Sequence, residues 1–314
     1  YFFNILYNFV FSISNTYIVI IKYMHKVKTM LRSINYLFSI IIIFFFTNVF
    51  ALQTQWSNGI ESQVRIISPL THNNNQNELY LGLQYKLKEG WKTYWRSPGD
   101  GGFPQNIDWS ESSNIKNIEI LWPIPQEFEI LGMQSIGYTD EVIFPLKINI
   151  LNLREETQLI LDVNYLVCKD ICVPGNAHLE LIVPSGTGKI TNNFYNIEKS
   201  LSSIPLKNFD VSELQSFSIE SYEHNANISI LVSATSTKIF KDTEFFLDTE
   251  LGLPVVVPKI NFSNNYKKVM AEFVYNKKNF VKKKFNVSVI LKDKNKGFEF
   301  TDIIEIKPSS LILN

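Results

Sequence analysis

From residue 52 onward, apolar and polar residues alternate with a period of two over most segments. In residues 78–88, Leu79, Leu81, Leu83, Tyr85 and Leu87 fall on one face, and Gln84, Lys86 and Lys88 fall on the other. That pattern predicts a half-buried strand. Residues 158–167 repeat it, with Leu159, Leu161, Val163, Tyr165 and Val167 on one face and Asp162 and Asn164 on the other. Residues 142–148 and 178–183 read as further strands, and no long helical period appears before residue 187. Short strands broken by Gly, Pro and Asn turns predict an all-β, antiparallel sandwich over residues 52–187.

The pattern breaks at residues 184–210. Pro184-Ser-Gly-Thr-Gly188 reads as a linker, and Phe194, Ile197, Leu201 and Ile204 share one face of a short helix. Thr191 is the expected N-cap and Pro205 the stop. We take 188–210 as the connection and 211–307 as a second sandwich. In that second region Ile228, Ile230, Val232 and Ala234 alternate, as do Phe285, Val287, Val289 and Leu291. It contains no cysteine and one histidine, His224, and reads as a supporting or docking module.

The N-terminal region, residues 1–51, has a different character. Lys26, Lys28 and Arg32 precede an apolar core from Leu37 to Phe46, and Val49-Phe-Ala51 has the form of a cleavage site. This is the layout of a secretory signal peptide, with Met30 as the expected start, cleavage after Ala51 and Leu52 as the mature terminus. Residues 1–29 are set aside as upstream sequence. The rival reading is an uncleaved anchor, for which the apolar run is short. Export places the chain outside the cytosol, where disulfides form and persist.

Charge narrows the partners. Residues 1–51 hold Lys22, Lys26, Lys28 and Arg32 and no acid; the remaining 26 basic residues face 30 acidic ones, a net of about −4 by simple counting. No basic patch points to nucleic acid, and the Lys277–Lys284 run reads as a solvated turn.

Candidate chemistry concentrates in Tyr165-Leu-Val-Cys-Lys-Asp-Ile-Cys-Val-Pro174, which holds the only two cysteines, Cys168 and Cys172. If the strand pleat continues, Cys168 lies on the polar face and is accessible, as a redox cysteine needs to be. Three readings compete. A structural disulfide closing so short a loop contributes about 2 kcal/mol by chain entropy. A Cu(I) site would use two thiolates, but His178 is the only nearby histidine and Met133 the only methionine in this half. Thiol–disulfide exchange needs two bridgeable cysteines, at least one of them exposed, and it is the preferred reading. Lys169 favours a thiolate and Asp170 opposes it. No cofactor and no metal ligand set is read from the chain. The pair is not the two-residue spacing of thioredoxin folds, so it must sit on a β scaffold.

A second dense stretch is Gly90-Trp-Lys-Thr-Tyr-Trp-Arg-Ser-Pro-Gly-Asp-Gly-Gly-Phe-Pro104. Trp91 and Trp95 are read equally as core anchors or functional groups. Arg96 and Asp100, among turn residues, carry the stronger functional expectation. The loop at 135–141 adds Tyr138.

These residues together with Leu121-Trp-Pro123, Ile136-Gly-Tyr138 and Glu141-Val142 resemble the N-terminal periplasmic region of the DsbD-like protein-disulfide reductases, most nearly the ScsB branch associated with suppression of copper sensitivity. The resemblance spans roughly residues 52–307. It implies one or two immunoglobulin-like sandwiches and makes Cys168 and Cys172 a redox pair. That pair would take electrons from a membrane-embedded domain and pass them to periplasmic thioredoxin-fold proteins. Lys169, Asp170, Arg96, Asp100 and Tyr138 are the supporting candidates, with Tyr138 or the 91–103 loop as a possible aromatic cap over the cysteines. Cys168 is the expected resolving thiol. Residues 308–314 lie where such proteins approach a first membrane helix, so the chain is expected to be a fragment or a separately encoded module. The rivals are a non-catalytic binding module with a structural disulfide and a Cu(I)-binding copper-stress protein.

Overall fold

The structure, a computed structural model, describes residues 24, 26–32, 51–99, 101–130, 132–207 and 214–308. Residues 1–49 form a unit of their own, in which residues 26–32 are helical. The apolar core and cleavage site expected of a leader lie outside the described residues up to Phe50, as do Asp100 and the tail beyond Pro308. Among the described residues no helix is long and apolar enough to cross a membrane.

The rest of the described chain is predominantly β, with one short α-helix. In the first sandwich one sheet has the order β1-β2-β8-β5, made by β1 (Ser62–Ile67), β2 (Glu78–Leu87), β8 (Glu141–Ile150) and β5 (Ile115–Ile120). The facing sheet has the order β10-β9-β3-β7-β6, from β10 (Cys172–Val183), β9 (Thr157–Cys168), β3 (Lys92–Tyr94), β7 (Met133–Thr139) and β6 (Gln126–Ile130). β4 (Asn106–Asp108) also pairs with β9. All these pairings are antiparallel. The two inner faces meet in one core that includes Leu81, Leu83, Tyr85 and Phe144 from one sheet and Leu159, Leu161, Val163 and Val167 from the other. These are the residues that alternation assigns to the inside, because successive strand side chains point to opposite faces.

The outer face of β2 is not left to solvent. Helix α1 (Phe194–Ser202) packs there, with Ile197 against Ile67 and Ile143. The Ser200 hydroxyl donates to the Ile143 carbonyl at 2.5 Å. The helix differs from expectation at its start. Asn193 is the N-cap residue, and the Thr191 hydroxyl instead donates to the Ser68 carbonyl at 2.5 Å. The Thr191 hydroxyl gives its proton to this tertiary partner, while its oxygen accepts the Asn193 N–H at 3.1 Å just ahead of the helix. The Gly-rich segment before it is also tied down. Gly186 and Lys189 donate backbone N–H groups to the side chains of Asn73 and Thr71, and the Thr71 N–H donates to the Lys189 carbonyl.

The second sandwich is built around one long strand. β18 (Lys296–Pro308) pairs over Lys296–Glu305 with β17 (Lys284–Asp293), then over Ile306–Pro308 in parallel with β12 (Leu214–His224). It thereby joins β14 (Thr243–Thr249) and β17 to β12, β13 (Asn227–Ser236), β16 (Lys268–Asn276) and β15 (Lys259–Ser263). β11 (Leu206–Lys207) adds a second short parallel contact to β18. Ile230, Val232, Ala234 and Phe273 from one side meet Phe285, Val287, Val289 and Leu291 from the other in a second core.

The two sandwiches share a buried seam. In β14 and β17, Phe245, Leu247, Val289 and Leu291 face the second core, whereas Phe246 and Ile290 join the first. Phe246 packs on Trp95, with ring centroids 6.4 Å apart. This accounts for the unbroken apolar runs 245–247 and 289–291, since a strand buried on both faces loses its alternation.

Candidate active site

The cysteine pair closes the end of a hairpin. Cys172 is the direct register partner of Cys168 in the β9–β10 ladder, and the two are disulfide-bonded with Cα atoms 4.1 Å apart. Lys169, Asp170 and Ile171 form the exposed loop between them, and Ile171 is an exposed apolar side chain. Directly opposite residues of an antiparallel pair bring their Cβ atoms within bridging reach. The three-residue spacing therefore becomes a bridgeable pair because a tight turn folds β10 back onto β9.

The two sulfurs have opposite environments. Cys172 is exposed, whereas Cys168 is 0% exposed. This corrects the expectation of an accessible Cys168. Alternation does place it with Asp162 and Asn164, both exposed. At this end of β9, however, Tyr94 and Ile130 cover that face, with Phe128 and Leu166 packed beside them. The covering residues lie far away in sequence, on β3 and β6, so local patterning could not show them.

Tyr94 is the group in closest polar contact with the bridge. Its hydroxyl lies 2.9 Å from Cys168 Sγ, 2.9 Å from the Gly101 carbonyl oxygen and 3.9 Å from Cys172 Sγ. A phenol has one proton to donate, so the sulfur and the carbonyl compete for it. Burial pushes its pKa up to about 12, which keeps it a neutral donor across the physiological range. Tyr94 belongs to the 91–103 stretch expected as one of two possible caps, an expectation that singled out no residue within the stretch. The contact depends on β3 pairing with β9, Lys92 opposite Cys168 and Thr93 opposite Val167. Lys92 also places its ammonium 5.6 Å from the centre of the Phe128 ring.

The other expected residues divide. Lys169 stays beside the pair, its side chain lying along Gly90. Asp170 is in the same loop and exposed. Tyr138 is in the core instead, its ring against Phe144 and its hydroxyl donating to the Pro123 carbonyl at 2.8 Å. Burial pushes its pKa well up. Of the two cap candidates, the 91–103 stretch supplies the aromatic that touches a sulfur. Trp95 is fully buried and Trp91 partly so, both against the first core. Arg96 turns towards the second sandwich. Its Nε donates to Asp248 Oδ2 at 2.9 Å, and its Nη2 donates to Glu299 Oε1 at 2.5 Å and Ser288 Oγ at 3.2 Å. Among the described residues no cluster of three or more His, Cys, Asp or Glu side chains could hold a metal ion.

Residues 63–184, the segment that builds this hairpin and its covering strands, match the family model described as "Thiol:disulfide interchange protein DsbD, N-terminal". These residues form a DsbD-like N-terminal domain. The Cys168–Cys172 disulfide lies within the matched residues, and thiol:disulfide interchange is the family-level chemistry that the match supports. The fold of the DsbD-like domain and its neighbour is also that of a solved structure, the N-terminal periplasmic domain of ScsB from Proteus mirabilis. The TM-score is 0.65 at 20% identity, covering 82% of this chain and 99% of that one. A bovine butyrophilin structure is matched as well, at 10% identity over 76% of this chain and 95% of that one, with a TM-score of 0.23. No curated protein matches the chain.

Proposed function

We propose that the chain is an exported electron relay whose Cys168–Cys172 pair accepts electrons from a membrane-embedded reductase and hands them to periplasmic thioredoxin-fold proteins. The observation that carries this reading is the asymmetry of the pair: Cys172 is exposed, and Cys168 is buried under Tyr94. An attacking thiolate approaches in line with the S–S bond and needs one open sulfur and one good leaving group.

In the reductive half, a donor thiolate attacks Cys172 Sγ, the S–S bond breaks, and Cys168 leaves with the bonding pair as a thiolate. The donor's second thiol then attacks its own sulfur in the mixed disulfide, leaving the donor oxidised and Cys172 reduced. In the delivering half, the Cys172 thiolate attacks the partner's disulfide and releases one partner thiolate. Cys168 then attacks Cys172 Sγ, restores the bridge and frees the reduced partner. The Tyr94 hydroxyl is placed to donate to Cys168 whenever it carries the charge, which lowers its pKa and makes it a better leaving group. Lys169 and Lys92 add positive charge near the pair.

The test is the equilibrium reduction potential of the pair, titrated against glutathione. A value between about −270 and −180 mV supports exchange, and a value below about −300 mV would mean a structural staple. Trapping follows with Cys168→Ser, which leaves Cys172 free to hold a partner as a mixed disulfide.

A further inference from the structure

We infer that the second sandwich is a working part of the redox site: through Arg96 it holds the loop that sets Tyr94 against Cys168. This rests on the exchange reading above and extends it to residues of the other sandwich.

The chain of contacts is short. Tyr94 ends β3, and Trp95 and Arg96 follow it directly. Trp95 is locked against Phe246, and the Arg96 guanidinium carbon lies 4.5 Å from the centre of the Trp95 ring. The same guanidinium reaches Asp248 on β14, Ser288 on β17 and Glu299 on β18. Ser288 in turn donates to Glu299 Oε1 at 2.8 Å. Glu299 is 8% exposed. A buried carboxylate without its cation is costly, which makes this an anchor with one favoured geometry.

Beyond Arg96 the chain meets the second sandwich again. At Gly99, with φ +86°, any Cβ would sit 2.7 Å from Val255 Cγ2, so the backbone itself rests on that side chain. Two residues on, the Gly101 carbonyl accepts from the Tyr94 hydroxyl. The loop is thus pinned by the second sandwich at Arg96 and Gly99, and its far side holds the phenol 2.9 Å from Cys168 Sγ. While the bridge is closed, the carbonyl, a stronger acceptor than a disulfide sulfur, keeps the phenol proton. Once Cys168 leaves as a thiolate, the proton turns to the sulfur without leaving oxygen. Loosening the anchor would let the phenol drift and would weaken that stabilisation.

The experiment uses the full chain and conservative changes in the second sandwich, Asp248→Asn and Glu299→Gln. The rate of reduction by glutathione and the equilibrium potential are both read. Expected is a fall of about fivefold in the rate constant of reduction for Glu299→Gln, with a smaller fall for Asp248→Asn. The equilibrium constant should move by a similar factor, a potential about 20 mV more negative at 29.6 mV per tenfold for two electrons. Glu119→Gln is the control. It breaks a separate ion pair, Glu119 on β5 with Lys207 on β11 at 3.5 Å, without touching the loop, and should leave both readouts unchanged. Folding is checked for each variant by near-ultraviolet circular dichroism. Should Glu299→Gln and Asp248→Asn, folded, exchange as the parent does, the inference is overturned and the exchange reading stands. Equal effects from Glu119→Gln would also overturn it, because general loosening would then be the cause. A parent that cannot be reduced in the glutathione range would sink the exchange reading itself.

Discussion

The two sandwiches are built alike and used differently. Both bury alternating strand residues between facing sheets. In the first, the polar face of β9 becomes a site, because Tyr94, Ile130 and Phe128 arrive to cover one cysteine while the turn leaves the other open. In the second, the face that could have been polar is apolar at Phe246 and Ile290 and closes against the first sandwich. The same strand geometry thus supports chemistry where one sulfur stays exposed, and support where the outer face is buried. The difference lies in what covers each face.

The largest effects should come from the cysteines. Cys168→Ser and Cys172→Ser should each abolish catalytic exchange with glutathione disulfide. The lone Cys172 of the first variant should alkylate readily with iodoacetamide, and the lone Cys168 of the second should be strongly protected. Equal labelling would break the contrast between an open and a covered sulfur.

Next is the seam. Phe246→Ala should cost about 3–5 kcal/mol in chemical unfolding, as for a fully buried aromatic. Phe262→Ala, in the same sandwich but on the exposed edge strand β15, should cost far less. If both sandwiches melt in a single shifted transition, the seam joins them in one cooperative unit. Two separate transitions would show that it does not.

Smaller again is Tyr94→Phe, which removes only the hydroxyl. Losing a hydrogen bond to a charged group should slow reduction of the bridge about tenfold, with little change in stability. An unchanged rate would reduce Tyr94 to packing.

The smallest effect expected is at the outer face of β9 and β10. His178 pairs with Asp162 at 2.8 Å, and that hydrogen bond and charge raise its pKa above 6.5. A raised folded pKa means that the pair's contribution is complete below about pH 6.5. It fades as pH rises through the raised value. Thermal melts of the parent and His178→Gln should therefore differ slightly at pH 5.5 and converge by pH 9. Divergence towards high pH would contradict the sign.

The period of two was enough to place β2, β9, β13 and β17 and to say which side of each is buried, and it marked residues 178–183 of β10 as a strand, because strand alternation is a local property of the backbone. The cysteine spacing marked a pair close enough to bridge; the β9–β10 register is what brings Cys168 directly opposite Cys172. What the sequence could not show is which faces would later be covered. Cys168 was placed on an open face, but 74 residues separate it from the phenol against it. Arg96 stood out as a functional arginine in a turn. Its partners, Asp248, Ser288 and Glu299, lie on three other strands, 152 to 203 residues away. Local patterning fixes the inside and outside of a strand. Long-range packing decides whether the outside meets water, a neighbouring strand or another sandwich, because burial depends on where distant parts of the chain come to rest.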